Sequence, residues 1–119
     1  MEVATSTEEA NNRAYVFPGQ GSQSVGMGAE LFESSQAARE TFQEADDSLG
    51  FPLSRLIFEG PAKELQNTAN SQPAIMTTSV AAWRTWQEMQ GPQVATAKAV
   101  AGHSLGEYTA LVAAGVIDF

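Results

Sequence analysis

The feature that most constrains this chain is a serine between two glycines, where a short apolar run meets a helical pattern. The predicted strand Ala97 to Ala101 runs directly into Gly102-His103-Ser104-Leu105-Gly106, and a helix is predicted from Leu105 to about Ala114. A G-x-S-x-G pattern in this context is typical of a strained turn that exposes the serine hydroxyl at the end of the strand. The following helix N-terminus offers free N–H groups to a developing oxyanion. The context favours Ser104 as a nucleophile over the alternative, a glycine-rich turn without chemistry.

A second apolar run near the start of the chain predicts the partner of that strand. Ala14 to Phe17 reads as a buried strand, and it enters a glycine-rich loop from Pro18 to Gly28. If the two strands are neighbours, Gln20 in this loop comes to the same edge of the sheet as Ser104. The loop lacks both a terminal Gly-Lys-Ser/Thr and the G-x-G-x-x-G spacing, so a phosphate-binding loop is disfavoured. A flexible loop without function is the remaining alternative.

Helical patterns fill the segment between the two strands. One helical face is predicted from five apolar positions before Gly50, which is placed to end the helix: Leu31, Ala38, Phe42, Ala45 and Leu49. A short helix is expected at Ala62–Gln66, a polar loop at Asn67–Gln72, and a longer helix from Pro73 to about Met89. Strands alternating with helices predict an α/β fold with a parallel sheet. Because parallel strands need cover on both faces, two strands alone look like part of a larger sheet.

Composition excludes several classes of protein. The 119 residues carry 14 acidic and 6 scattered basic side chains, a net charge of −8, which disfavours binding to nucleic acid or to an anionic membrane. The absence of cysteine excludes disulfides, thiolate metal sites and a cysteine nucleophile. Residues 1–13 are polar and lack the apolar segment of a secretory signal, so they are predicted to form a flexible tail. We expect a cytoplasmic protein with no membrane span.

His103 is the only histidine, but its position argues against a role as the catalytic base. A side chain next to the nucleophile in such a turn points away from the serine hydroxyl, whereas a base must come within hydrogen-bond reach. In enzymes with this turn the histidine follows the serine in the chain. We therefore predict that His103 lines the mouth of the pocket or forms a hydrogen bond in the turn.

Three runs of residues carry a family resemblance. Tyr-Val-Phe-Pro-Gly-Gln-Gly-Ser-Gln at 15–23, Ser-Gln-Pro-Ala at 71–74 and Gly-His-Ser-Leu-Gly-Glu-Tyr at 102–108 closely resemble the malonyl-CoA:acyl carrier protein transacylases, the FabD-like acyltransferase family. The resemblance covers residues 14–119. It implies that they form the N-terminal portion of an α/β-hydrolase-like large subdomain, with a ferredoxin-like subdomain inserted later in the chain.

The resemblance also implies an activity and a set of site residues. Ser104 would take malonyl from malonyl-CoA, a substrate rather than a cofactor, and pass it to the phosphopantetheine thiol of acyl carrier protein. The oxyanion hole would comprise the Gln20 side chain and the Leu105 backbone N–H, with Gln72 and His103 lining the pocket. Leucine after the serine resembles malonyl-using members more than methylmalonyl-using ones.

Length is where this sequence departs from the family. Members are roughly two to three times longer, in line with larger α/β enzymes. The catalytic histidine and the arginine that binds the malonyl carboxylate are therefore expected beyond Phe119. Two other interpretations stay open: a serine esterase or thioesterase, and an inactive truncated chain.

Overall fold

The computed structural model describes residues 13–90 and 98–119, so the predicted tail lies outside it apart from Arg13. Within these residues the elements run β1 (Ala14–Phe17), α1 (Ala29–Ser34), α2 (Gln36–Leu49), α3 (Leu53–Glu59), α4 (Ala62–Gln66), α5 (Thr68–Gln90), β2 (Ala99–Gly102) and α6 (Gly106–Ala113). The α/β class is confirmed, and β1 and α4 have the predicted bounds. The predicted start of β2, Ala97, lies outside the described residues.

β1 and β2 pair in parallel, which places their C-terminal ends side by side. Phe17 at the end of β1 lies opposite Gly102 at the end of β2. Tyr15 packs against two tryptophans of α5, with ring centroids 4.9 Å from Trp83 and 5.1 Å from Trp86. Both indoles therefore contact the sheet. The opposite face of β1 is open, since Val16 is 77% exposed.

The helical core lies between α2 and α5, with α3 and α4 packed against it. Fully buried apolar side chains form its centre: Ala38, Phe42, Leu53, Ile57, Ala74 and Ala81. The single helix predicted before Gly50 is wrong, because Ser35 adopts an extended backbone and separates α1 from α2. The Ser35 side chain instead caps α2, accepting a hydrogen bond from the Ala38 N–H at 3.2 Å. Gly50 ends α2 with φ +75°, as predicted.

The predicted start of the longest helix is also wrong. This helix, α5, begins at Thr68, so most of the expected polar loop at 67–72 is helical and Pro73 lies inside the helix. Proline at this position cannot donate to the Ala69 carbonyl, so α5 lacks that one hydrogen bond. The Asn67 side chain caps the first turn of α5 by accepting from the Ala69 N–H at 3.1 Å.

Candidate active site

The turn after β2 has a strained backbone at its serine. Ser104 adopts φ +57°, and it is the only non-glycine residue with a positive φ in residues 13–90 and 98–119. Holding an L-residue in this region costs about 1–2 kcal/mol, and such strain is concentrated at functional sites. The Gly106 N–H donates to the His103 carbonyl at 3.0 Å, and the Glu107 N–H donates to the Ser104 carbonyl at 3.1 Å. These two hydrogen bonds connect the turn to the start of α6. The serine is exposed at the C-terminal end of β2.

The two glycines of the turn are required by backbone packing. A Cβ on Gly106 would lie 2.2 Å from the Phe17 carbonyl oxygen, and one on Gly102 would lie 1.9 Å from the carbonyl oxygen of Gly106. Both neighbours are main-chain atoms that cannot rotate away. The end of β1 and the turn that carries Ser104 are therefore packed backbone against backbone.

The loop after β1 lies against the same turn. A Cβ on Gly19 would lie 2.2 Å from the His103 carbonyl oxygen and 3.1 Å from the Ser104 Cβ. The loop folds on itself, because the Gly19 carbonyl accepts from both the N–H and the hydroxyl of Ser22, at 3.2 and 2.7 Å. The sequence-based expectation that the two loops meet at one sheet edge is confirmed.

Among the described residues, the serine turn and the loop after β1 each hold a backbone N–H without an acceptor. Neither the Leu105 N–H nor the Gln20 N–H donates to an acceptor within the described part of the chain. Leu105 follows Ser104 directly, and Gln20 follows Gly19, whose backbone contacts the turn. The Gln20 side chain is engaged elsewhere: its Nε2 donates to the Thr68 hydroxyl at 3.1 Å.

The remaining predicted site residues lie around this edge. The His103 N–H donates to the Phe17 carbonyl at 3.3 Å, which extends the strand pairing, and its side chain is exposed. No hydrogen bond joins its imidazole to Ser104 among the residues that the structure describes. Gln72 is half-buried on α5, one helical turn after Thr68 and on the same face. Its role in lining the pocket stays a prediction, as does that of His103.

Comparison with known proteins gives the family. The family model described as acyl transferase domain matches residues 14–118. The chain belongs to the acyl transferase domain family. It is 56% identical over 106 residues to a malonyl CoA-acyl carrier protein transacylase of Salmonella typhimurium, covering 89% of this chain and 33% of the relative. The chain thus spans about a third of the length of the curated relatives it matches.

Solved structures agree with this assignment. An acyl carrier protein S-malonyltransferase from Vibrio cholerae superposes with a TM-score of 0.80 at 52% identity, covering 88% of this chain and 33% of that one. A malonyl-transacylase solved in complex with a type II polyketide synthase acyl carrier protein gives a TM-score of 0.83 at 51% identity, covering 91% of this chain and 34% of that one. The described residues therefore adopt the fold of this part of these acyltransferases.

Sequence reasoning missed Thr68, because nothing in its neighbourhood connects it to Gln20, 48 residues earlier. The one local signal is Asn67, a residue type favoured just before a helix.

Within residues 13–90 and 98–119, no three His, Cys, Asp or Glu side chains are grouped to hold a metal ion. Among the same residues, no helix combines the length and apolar character needed to cross a membrane.

Proposed function

We propose that this acyltransferase moves malonyl from malonyl-CoA to the phosphopantetheine thiol of acyl carrier protein through an acyl-enzyme on Ser104. The observation that carries the proposal is the strained, exposed serine at one edge of a parallel sheet, with the Gly19 backbone packed against its turn. The relatives' names support the substrates, since they are malonyl CoA-acyl carrier protein transacylases. The reaction serves fatty acid or polyketide synthesis in the cytoplasm.

The first half-reaction forms the acyl-enzyme. The Ser104 Oγ attacks the thioester carbonyl carbon of malonyl-CoA and gives its proton to a general base, while the carbonyl electrons become an oxyanion. Collapse of this intermediate breaks the carbon–sulfur bond, and coenzyme A leaves as a thiol with the proton from the base. A malonyl ester on Ser104 remains. Hydrogen-bond donors at the oxyanion lower the barrier because they act on charge that develops in the transition state.

The second half-reaction reverses these roles. The phosphopantetheine thiol attacks the ester carbonyl, its proton passes through the base to the departing Ser104 oxygen, and malonyl becomes a thioester of the carrier. Both half-reactions balance in atoms and electrons without a cofactor. The base must come within about 3 Å of the serine hydroxyl. Because His103 is adjacent to the nucleophile and exposed, we assign the base to a residue outside the described ranges.

The malonyl group of the substrate carries a negative charge that also needs a partner. A malonyl carboxylate that is buried without a partner is strongly disfavoured, so a cation must face it. The turn from Gly102 to Gly106 holds no cationic side chain except that of His103 when protonated. We therefore assign the carboxylate partner to a residue outside this turn.

Gln20 offers two candidate donors for the oxyanion hole. Its side-chain amide is the donor that the family resemblance implies, but this amide already donates one hydrogen to Thr68. Its backbone N–H has no acceptor in the described residues and follows the glycine that packs on the turn. We propose the backbone N–H groups of Leu105 and Gln20 as the two donors, with the second side-chain hydrogen as the alternative.

The test uses a restored enzyme, in which this chain is continued by the C-terminal two thirds of the Salmonella typhimurium relative. Incubation with labelled malonyl-CoA and holo acyl carrier protein should give a malonyl adduct on the enzyme and then on the carrier. The adduct should vanish in Ser104→Ala and persist in Ser48→Ala, a control at an exposed serine of α2. Release of free malonate without transfer to the carrier would indicate a thioesterase. The absence of any malonyl adduct would indicate an inactive protein.

A further inference from the structure

One hydrogen bond links the loop beside the nucleophile to the long helix. The Gln20 Nε2 donates to the Thr68 hydroxyl at 3.1 Å, joining two residues 48 positions apart. Both side chains are exposed, so neither is held there by burial. Ordering two exposed side chains costs entropy, so such a bond can position a loop only when the backbone on the other side of the bond is itself held in place.

The Thr68 side of this bond is anchored firmly. Thr68 is the first residue of α5, directly after the capping residue Asn67. The Asn70 side chain donates to the Glu64 carbonyl of α4 at 3.0 Å, and Leu65 of α4 is 1% exposed. The start of α5 is therefore tied to α4 and through it to the core.

The Gln20 side is held by packing on the active-site turn and by hydrogen bonds within its own loop. Gly19 packs on the His103 carbonyl and the Ser104 Cβ, whereas Gln20 itself is exposed. The Gly21 N–H is taken by the Gln23 side chain at 2.8 Å, within the same loop. The peptide between Gly19 and Gln20 is thus held inside the loop by the two Ser22 bonds to the Gly19 carbonyl, and the Gln20–Thr68 bond is the contact that ties this loop to α5.

We propose that Thr68 is a positioning residue of the active site. Its hydroxyl accepts the Gln20 amide hydrogen and holds the loop so that the oxyanion donor of Gln20 stays beside Ser104. Thr68 touches neither substrate nor reacting atoms, and it acts only through Gln20. The proposal rests on the proposed function, because it assigns Thr68 to the oxyanion hole of that reaction.

The kinetic test compares three variants of the restored enzyme. Thr68→Val removes the acceptor but keeps the shape, and it should lower kcat about three- to tenfold, the usual effect of one hydrogen bond. KM for malonyl-CoA should change less than about twofold, because the donor acts on the transition state. Thr68→Ser keeps the hydroxyl and should restore kcat. Thr78→Val is the matched control, since this α5 hydroxyl has no partner among the described residues.

A double-mutant cycle then separates positioning from a general effect on the fold. Thr68→Val should have no further effect on kcat in the Gln20→Ala background, because the bond is already lost there. An equal loss in both backgrounds would overturn the proposal, as would a wild-type kcat in Thr68→Val or a change in KM alone.

Hydrogen–deuterium exchange supplies a readout that is independent of activity. Exchange of residues 18–23 in the restored enzyme should speed up in Thr68→Val and Gln20→Ala but not in Thr78→Val. If the unsubstituted enzyme transfers no malonyl, the proposed function fails and the catalytic part of this proposal fails with it. Unchanged exchange in Thr68→Val would show, whatever the activity, that Thr68 does not hold the loop.

Discussion

Gly19→Ala tests whether the contact between the loop and the serine turn sets the rate of acyl transfer. The added Cβ would lie 2.2 Å from the His103 carbonyl oxygen and 3.1 Å from the Ser104 Cβ. Neither atom can rotate away, because the first is a main-chain oxygen and the second is a Cβ bonded directly to the main chain. The loop must therefore retreat from the turn by about 1 Å, and it carries Gln20 with it.

The expected loss follows from that displacement. Moving a catalytic group by about 1 Å costs roughly 10²-fold in rate, so kcat of the restored enzyme should fall by about two orders of magnitude. Overpacking should also lower stability by about 1–3 kcal/mol. The rate loss is expected at temperatures well below the melting temperature, where the variant remains folded.

The assay is the single-turnover rate of Ser104 malonylation at saturating malonyl-CoA, read by quenched-flow and intact mass. Gly50→Ala is the matched control, because Gly50 ends α2 at φ +75° with nothing within 4 Å of an added Cβ. It should lose about 1 kcal/mol of stability through backbone strain and keep the wild-type rate. A wild-type malonylation rate in Gly19→Ala would refute the reasoning, and an equal rate loss in Gly50→Ala would attribute the effect to stability.

Ser104→Ala and Ser104→Gly should both abolish the acyl-enzyme. The glycine variant should be more stable than the alanine variant by up to about 1 kcal/mol, because glycine relieves the positive φ. Identical melting temperatures of the two variants would contradict the claim that the backbone of Ser104 is strained. Gln20→Ala should lower kcat about three- to tenfold if the backbone N–H is the oxyanion donor, whereas a loss of about 10²–10³-fold would assign the side-chain amide instead. Residues 1–119 expressed alone should transfer no malonyl and should associate, since the face of β1 that carries Val16 is open; a monomeric protein with well-dispersed amide resonances would contradict the folding part.

Local sequence signals were sufficient for the elements around the nucleophile. The short apolar runs before Pro18 and Gly102 predicted both strands, because a strand that enters a glycine-rich turn is a property of a few consecutive residues. The serine turn was predictable for the same reason, since its two glycines and its context are contiguous in the chain. The family resemblance added the substrates, which no single motif specifies.

Helix boundaries depended on contacts that the local pattern does not contain. Periodicity joined α1 and α2 into one helix, because the apolar positions on both sides of Ser35 share a helical spacing. Proline statistics placed the start of α5 at Pro73, although capping by Asn67 begins the helix at Thr68. In both cases a side-chain cap and the packing of the core decided the boundary, and local propensity is too weak to compete with them.

By itself, the sequence determined the turn that displays Ser104, and it predicted Ser104 as the nucleophile. Only the tertiary structure decided what surrounds that residue, because the parallel pairing of β1 with β2 brings together loops more than 80 positions apart. Pairing with Phe17 opposite Gly102 sets Gly19 against the Ser104 turn, and the start of α5 places Thr68 within reach of Gln20. The physical reason is that the hydrogen bonds and van der Waals contacts at this edge join segments that are distant in the chain, and no local pattern of residues encodes the distance between them.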